Sequence, residues 1–121
     1  MLILSGCETV RVHEGSELPN SQIAILKHAV SEGFYGGGIR INNIDGKLFS
    51  NGQFAPRFQL LPGRHRIAVS VTHLASVSPA YIEFEAKAGH SYLLRTETVK
   101  RRVFCWILDN STGMVVAGTP P

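Results

Sequence analysis

The sequence predicts an all-β protein, built as a single antiparallel β-sandwich of about seven strands. Three observations predict it: apolar and polar residues alternate over short segments, turn-forming residues separate these segments, and no segment of any length has helical periodicity. The chain has 121 residues, of which 44% are hydrophobic, so one domain with a buried core is expected. Its 12 Gly and 6 Pro are spread along the chain, as turns between short strands require.

The first half of the chain is expected to form three strands. They cover residues 22–28, 39–44 and 54–61. Asp45-Gly46 and Asn51-Gly52 favour two-residue type I′ hairpin turns, because such turns need a positive φ at both central positions. Residues 21–31 are the one segment where a helix competes with the strand interpretation.

The second half is expected to form five further strands. They cover residues 65–73, 82–86, 91–99, 103–109 and 114–117. Pro62-Gly63 favours a type II turn before the first of them, and Ala88-Gly89 and residues 110–113 supply later turns. Residues 103–108 are apolar at both odd and even positions, which predicts a strand covered on both faces, with Trp106 as a core anchor.

The amino terminus contains the strongest functional signal. Leu4-Ser5-Gly6-Cys7 has the pattern of a bacterial lipobox, in which small residues enter a peptidase cleft and the cysteine thiol receives a diacylglyceryl group. Two or three acyl chains would hold the protein stably at a membrane. We therefore interpret residues 1–7 as the remnant of a lipoprotein signal sequence, residues 8–21 as a flexible tether and residues 22–119 as the folded domain.

One part of a signal peptide is shorter than usual. Only residues 1–4 precede the small residues of the lipobox, whereas a signal peptide has an apolar stretch of about 7–15 residues. We therefore expect either a start codon upstream of Met1 or a longer precursor. The alternative is a chance match in a cytosolic protein.

The fate of the two cysteines depends on the same motif. If Cys7 is lipidated, Cys105 has no disulfide partner and stays a free thiol, and its apolar neighbours favour a buried and unreactive one. If Cys7 is not lipidated, a Cys7–Cys105 disulfide can form in an oxidising compartment. We favour the first interpretation.

Five short motifs, most of them turns, are distributed over most of residues 7–116. They are residues 4–7, 44–46, 60–65, 82–92 and 105–113. Together they resemble a family of small bacterial envelope lipoproteins of unknown molecular function. Part of their spacing is similar to that of PEGA-type modules, which are small β-sandwich domains of bacterial surface proteins. The resemblance implies an immunoglobulin-like, PEGA-like or transthyretin-like sandwich, and it supplies no catalytic residue.

The five histidines suggest a metal site, but their spacing does not favour one. His65 and His73 share one face of a strand but would lie about 27 Å apart. His65 and His90 each follow a turn and could meet at one end of the domain, where Tyr92 would help them to line a pocket. No metal, cofactor or catalytic residue is predicted, because the chain has no metal-binding, Gly-x-Ser-x-Gly or phosphate-loop motif.

Two segments are candidate contacts for a partner. Phe34 and Tyr35 lie in the glycine-rich segment 33–38, where we expect a loop. Lys100-Arg101-Arg102 is the densest run of charge and would lie at a hairpin tip, either solvated or attracted to anionic phospholipid or lipopolysaccharide. The net charge of +3 is too small and too dispersed to favour binding to nucleic acid.

Taken together, these observations predict a non-enzymatic, lipid-anchored protein of the bacterial cell envelope with a structural or interaction role facing the periplasm. Glu8 follows the cysteine, and since Asp at that position favours retention in the inner membrane, the outer membrane is the expected location. The expected partners are the membrane and other envelope proteins. The alternative is a soluble ligand- or metal-binding β-module in which Cys7 is incidental and His65, His90 and Tyr92 line the pocket.

Overall fold

The computed structural model describes residues 9–15, 18–28, 39–48, 57–73, 76–100 and 102–121. Within them the chain forms ten strands and one short 3₁₀ helix at Asn20–Gln22, which confirms the predicted all-β class. The first five strands are β1 (Thr9–Arg11), β2 (Ala24–His28), β3 (Ile39–Ile44), β4 (Lys47–Leu48) and β5 (Arg57–Leu60). The other five are β6 (Gly63–His73), β7 (Ser76–Ala86), β8 (Ser91–Val99), β9 (Arg102–Asp109) and β10 (Val115–Gly118).

The described strands form two sheets. One has six strands in the order β1-β5-β2-β8-β9-β10, and the other has four in the order β4-β3-β6-β7. Most neighbours are antiparallel, but β1 runs parallel to β5 and β2 runs parallel to β8. The predicted antiparallel arrangement is therefore confirmed for most neighbours, whereas two pairs of strands are parallel. The chain leaves the six-stranded sheet after β2 and returns at β5, and it leaves again after β5 and returns at β8, so that strands distant in sequence become neighbours.

Residues 65–73 have the clearest alternation of apolar and polar residues, and they lie in one of the two strands that form the longest ladder. Strands β6 and β7 pair from Gly63↔Ala86 to His73↔Ser76. Ile67 and Ile82 are buried on one face of this ladder, whereas Glu83 is exposed on the other, as period-two alternation requires.

Buried apolar side chains from both sheets form one cluster. The six-stranded sheet contributes Ala24, Leu26, Phe58, Leu60, Tyr92, Leu94 and Ile107, and the four-stranded sheet contributes Ile41, Ile44, Ile67, Val69, Ile82, Phe84 and Ala86. On β9, Ile107 belongs to this cluster and Trp106, on the opposite face of the strand, is also buried. Both faces of β9 are therefore covered, as its apolar sequence predicts.

Part of the predicted tether is folded onto the six-stranded sheet. Strand β1 pairs with β5 from Thr9↔Arg57 to Arg11↔Gln59, and the Val12 N–H donates to the Gln59 carbonyl at 3.0 Å. His13, which follows, is buried. Residues 24–28 form a strand, so the strand interpretation of residues 21–31 is confirmed over this part. Among the described residues no helix is long and apolar enough to cross a membrane.

The connections between strands lie at two opposite ends of the sheets. The corner end has the connections at Asp45-Gly46 and at residues 61–63, 87–90 and 110–113. The basic end has the start of β1, the end of β2 and the tips of the β6–β7 and β8–β9 hairpins. Its name comes from Lys100 and Arg102, which lie at the β8–β9 tip and are exposed.

Candidate functional site

The corner end contains two histidine–aspartate pairs, of which the first joins the β3–β4 turn to β6. Asp45 and Gly46 both have positive φ, 55° and 88°, which confirms the type I′ turn predicted from these two residues. Asp45 Oδ2 lies 2.5 Å from His65 Nδ1, and Asp45 Oδ1 accepts the Arg66 N–H at 2.8 Å. The Asp45 N–H in turn donates to the Arg66 carbonyl at 2.9 Å. A single aspartate thus fixes the turn to the neighbouring strand.

His65 uses both of its ring nitrogens. Nδ1 faces the Asp45 carboxylate, and Nε2 lies 2.6 Å from the Leu61 carbonyl oxygen. Both ring nitrogens are therefore within hydrogen-bond distance of an oxygen atom. His65 therefore links the β3–β4 turn to the chain corner that leads into β6.

The second pair joins the β7–β8 connection to the turn after β9. His90 Nδ1 lies 2.9 Å from Asp109 Oδ2, and Asp109 Oδ1 accepts the Ser111 N–H at 2.8 Å. Burial alone would raise the pKa of Asp109, but the hydrogen bonds from His90 and from the backbone of residues 111 and 112 outweigh it, so the pKa lies below its usual value. The carboxylate stays ionised and holds two turns together.

Tyr92 lies between the two pairs and is buried. Its hydroxyl oxygen accepts the Lys87 N–H at 2.9 Å, and burial raises its pKa. Its ring packs edge-on against Phe84 at 5.1 Å between centroids and stacks on His90 at 6.2 Å, while His65 lies 6.3 Å from Phe84 on the other side. His65 and His90 do lie at one end of the domain, but Phe84 and Tyr92 separate them.

A cavity of about 280 Å³ opens beside the first pair. It is lined by Val12, His13, Ile44, Asp45, Lys47, Leu61 and His65. Of the three residues predicted to line a pocket, His65 does so, whereas His90 and Tyr92 are not among the lining residues. The described contacts of His90 and Tyr92 hold turns together at the corner end.

Sequence reasoning missed His13. Its Nδ1 lies 3.1 Å from the Glu14 carbonyl, while its buried Nε2 has no hydrogen-bond partner among the described residues. The residue was overlooked because residues 8–21 were interpreted as a tether. The alternation of Val10, Arg11 and Val12 is the signal that could have revealed a strand before it.

The remaining predicted contacts are only partly described. Cys7, Phe34, Tyr35 and Arg101 lie outside the described residues. Cys105 is a partly buried free thiol whose pKa is raised by burial. Within the described ranges, no three side chains of His, Cys, Asp or Glu come together in a way that could hold a metal ion.

Comparisons with known proteins place the chain in no family. No protein-family model matches it, and neither a curated protein nor a solved structure shows significant similarity to it. What the protein does must therefore be argued from its own residues.

Proposed function

We propose that the chain is a non-enzymatic, lipid-anchored protein of the bacterial cell envelope, attached to a membrane through Cys7 and acting in structural or interaction roles. The observation that supports it best is the spacing between Cys7 and the sheet: strand β1 begins at Thr9, two residues after the lipobox cysteine. A lipid on Cys7 would thus be joined almost directly to a folded edge strand. Such an attachment orients a domain, whereas a long flexible tether would not.

The proposal includes the type of fold. One buried cluster shared by two sheets supports a β-sandwich, and the resemblance described above favours an immunoglobulin-like, PEGA-like or transthyretin-like arrangement. The proposal also includes the location, which is the outer membrane facing the periplasm.

An interaction role is supported by exposed apolar side chains on β10, the last strand of the six-stranded sheet. Strand β10 pairs with β9 on one side and is the last strand in the sheet order. Its Val115 and Val116 are each 42% exposed, and Met114 just before it is 65% exposed. An edge with exposed apolar side chains is suited to contacts with another envelope protein.

Fractionation of cells that express the natural gene with its upstream codons tests the proposal. We expect the protein in the membrane fraction, resistant to extraction by salt and released by detergent. Cys7→Ser should move it to the soluble fraction, because no thiol remains for the thioether. Cys105→Ser, the matched control, should leave it in the membrane. Equal distribution of the two variants would count against the anchor.

A second candidate function, a ligand-binding module, is favoured by the cavity beside His65. The exposed Lys47 brings a positive charge to its rim, where the His65 ring and the Asp45 side chain also lie. A small carboxylate or another small anion is the ligand that this arrangement fits best. A thermal-shift screen with small carboxylates, inorganic phosphate and divalent metals tests it, since a specific ligand raises the melting temperature with its concentration. Lys47→Gln should abolish the shift, and no shift with any of them would count against a ligand.

A further inference from the structure

The tip of the β8–β9 hairpin is a small cationic surface. Lys100 and Arg102 are both exposed, and the Arg102 guanidinium lies 5.7 Å from the centroid of the Phe104 ring. The nearest acidic residue on these two strands is Glu97, which pairs with Phe104. An arginine above an aromatic ring combines a charge with an apolar body, which suits the boundary between water and lipid.

Strand register places this tip on the same side of the domain as the amino terminus. Thr9 pairs with Arg57, Arg57 with Lys27 and Lys27 with Leu93, so Thr9 and Leu93 lie at the same level of the sheet. Strand β8 runs opposite to β1. The six residue steps from Leu93 to Val99 therefore extend towards the side of the domain from which the chain enters β1. The hairpin therefore extends roughly 20 Å beyond the level of Thr9.

The position of Cys7 restricts the orientation of the domain on the bilayer. Cys7 can lie at most about 7 Å from Thr9, since two residues span no more than that. With the strands upright on the bilayer, the hairpin would have to push its charges into hydrocarbon, which is unfavourable. In the six-stranded sheet, β8 lies three strand spacings away from β1. If the strands tilt by roughly 40° from the bilayer normal, Cys7 and the hairpin tip therefore lie at the same depth in the membrane.

We propose that the β8–β9 tip, through Lys100 and Arg102, contacts the anionic phospholipid headgroups of the bilayer that holds Cys7. This inference rests on the proposed lipid anchor and adds an orientation to it. The domain leans away from the hairpin, towards the β1 edge of the six-stranded sheet, and the corner end, with its cavity and both histidine–aspartate pairs, faces away from the membrane. Each of the two charges strengthens the contact roughly five-fold near an anionic surface.

Chemical tethering of the full chain tests the orientation apart from the biology of the anchor. Cys105→Ala leaves Cys7 as the only thiol, and a maleimide lipid then fixes Cys7 to nanodiscs of phosphatidylcholine with or without phosphatidylglycerol. A lipid with a gadolinium chelate on its headgroup broadens nearby amide signals in NMR spectra. With phosphatidylglycerol present, we expect broadening at Lys100 and Arg102 and unchanged signals at Ser111 and Gly113. Equal broadening at the two ends, or broadening at the corner end alone, would overturn the orientation.

Charge variants test the contact itself. The double variant Lys100→Asn, Arg102→Gln should lower the equilibrium constant for contact between the hairpin tip and the headgroups roughly 10- to 30-fold. Asn is chosen because Lys100 has a φ of 50°, which Asn tolerates. Arg64→Gln with Lys87→Gln removes the same two charge types at the corner end and should change nothing. Loss of broadening in both double variants, or in neither, would contradict the assignment.

The two proposals can fail separately. If the tethered protein shows the predicted broadening but Cys7 from cells carries no lipid, the anchor is wrong and the hairpin has an affinity for headgroups of its own. If Cys7 is acylated in cells and the tethered tip stays away from the headgroups, the orientation alone is wrong.

Discussion

The two ends of the domain are built in different ways. At the corner end, short turns are tied to neighbouring strands by the carboxylates of Asp45 and Asp109, and the row of Phe84 and Tyr92 rings packs beneath them. At the basic end, the β8–β9 hairpin extends past the described part of β2 and presents exposed cations. We infer from this comparison that stability is concentrated at the corner end, whereas the basic end presents the charges that the proposed membrane contact requires.

The largest difference in stability between the two ends is expected when an aromatic side chain is replaced by alanine. Phe84→Ala removes a buried ring from the row between His65 and Tyr92 and should lower the free energy of unfolding by about 3–5 kcal/mol. Phe104→Ala at the basic end removes a half-buried ring and should cost only about 1–2 kcal/mol. Denaturant unfolding followed by fluorescence of Trp106, the one tryptophan, measures both. Equal losses would remove the distinction between the ends.

A second comparison concerns the buried carboxylate. Asp109→Asn weakens the bonds with His90 and Ser111 and should cost about 2 kcal/mol at neutral pH. Because the folded pKa of Asp109 lies below 3.8, its contribution is present above that value and is lost as the pH falls through the folded pKa. The variant should therefore lose less stability than the wild type in this acidic range. Parallel stability curves for the two proteins would contradict the assignment.

At the basic end, the free energy of unfolding should begin to depend on pH at a higher value than it does through Asp109 at the corner end. Burial lowers the pKa of His28 from 6.5, so as the pH falls below 6.5 the unfolded chain takes up a proton that the folded chain does not. The free energy of unfolding should therefore begin to fall below this pH. This decrease should be smaller than the decrease caused by Asp109→Asn. His28→Gln should flatten this part of the curve. A variant that keeps the full slope between neutral pH and the range of Asp109 would show that another group is responsible.

The smallest expected effect concerns the reactivity of the Cys105 thiol. Burial raises the pKa of the Cys105 thiol, which lowers its thiolate fraction at neutral pH. In the Cys7→Ser variant, Cys105 should react with iodoacetamide much more slowly in the folded protein than in denaturant. Similar rates in the two conditions would show that the thiol is accessible.

Local patterns in the sequence predicted local structure well. Asp45-Gly46 specified its turn because few residues accept a positive φ at two consecutive positions, and the structure has both. The alternation after Pro62-Gly63 likewise predicted β6, and the two-sided apolar pattern predicted the burial of Trp106 and Ile107. In each case the property needed by the structure is contained within a few consecutive residues.

Pairing between distant strands was not predictable in the same way. The parallel contact of β2 with β8 joins residues more than 60 positions apart, such as Ile25 and Ser91, and no local periodicity encodes it. Strand β1 was missed because three residues are too few to establish a pattern beside polar neighbours. The cavity combines the residues just after β1 with distant parts of the chain, so its lining, including His13, could not be assembled from sequence alone.

The central claim is that Cys7 joins the basic end of this domain to a membrane. Its most direct test is the intact mass of the protein purified from membranes of cells that express the natural gene. The account predicts a chain that begins at Cys7 and carries the added mass of a diacylglyceryl group and an amino-terminal acyl chain. A chain that retains residues 1–6 with an unmodified Cys7 would contradict it.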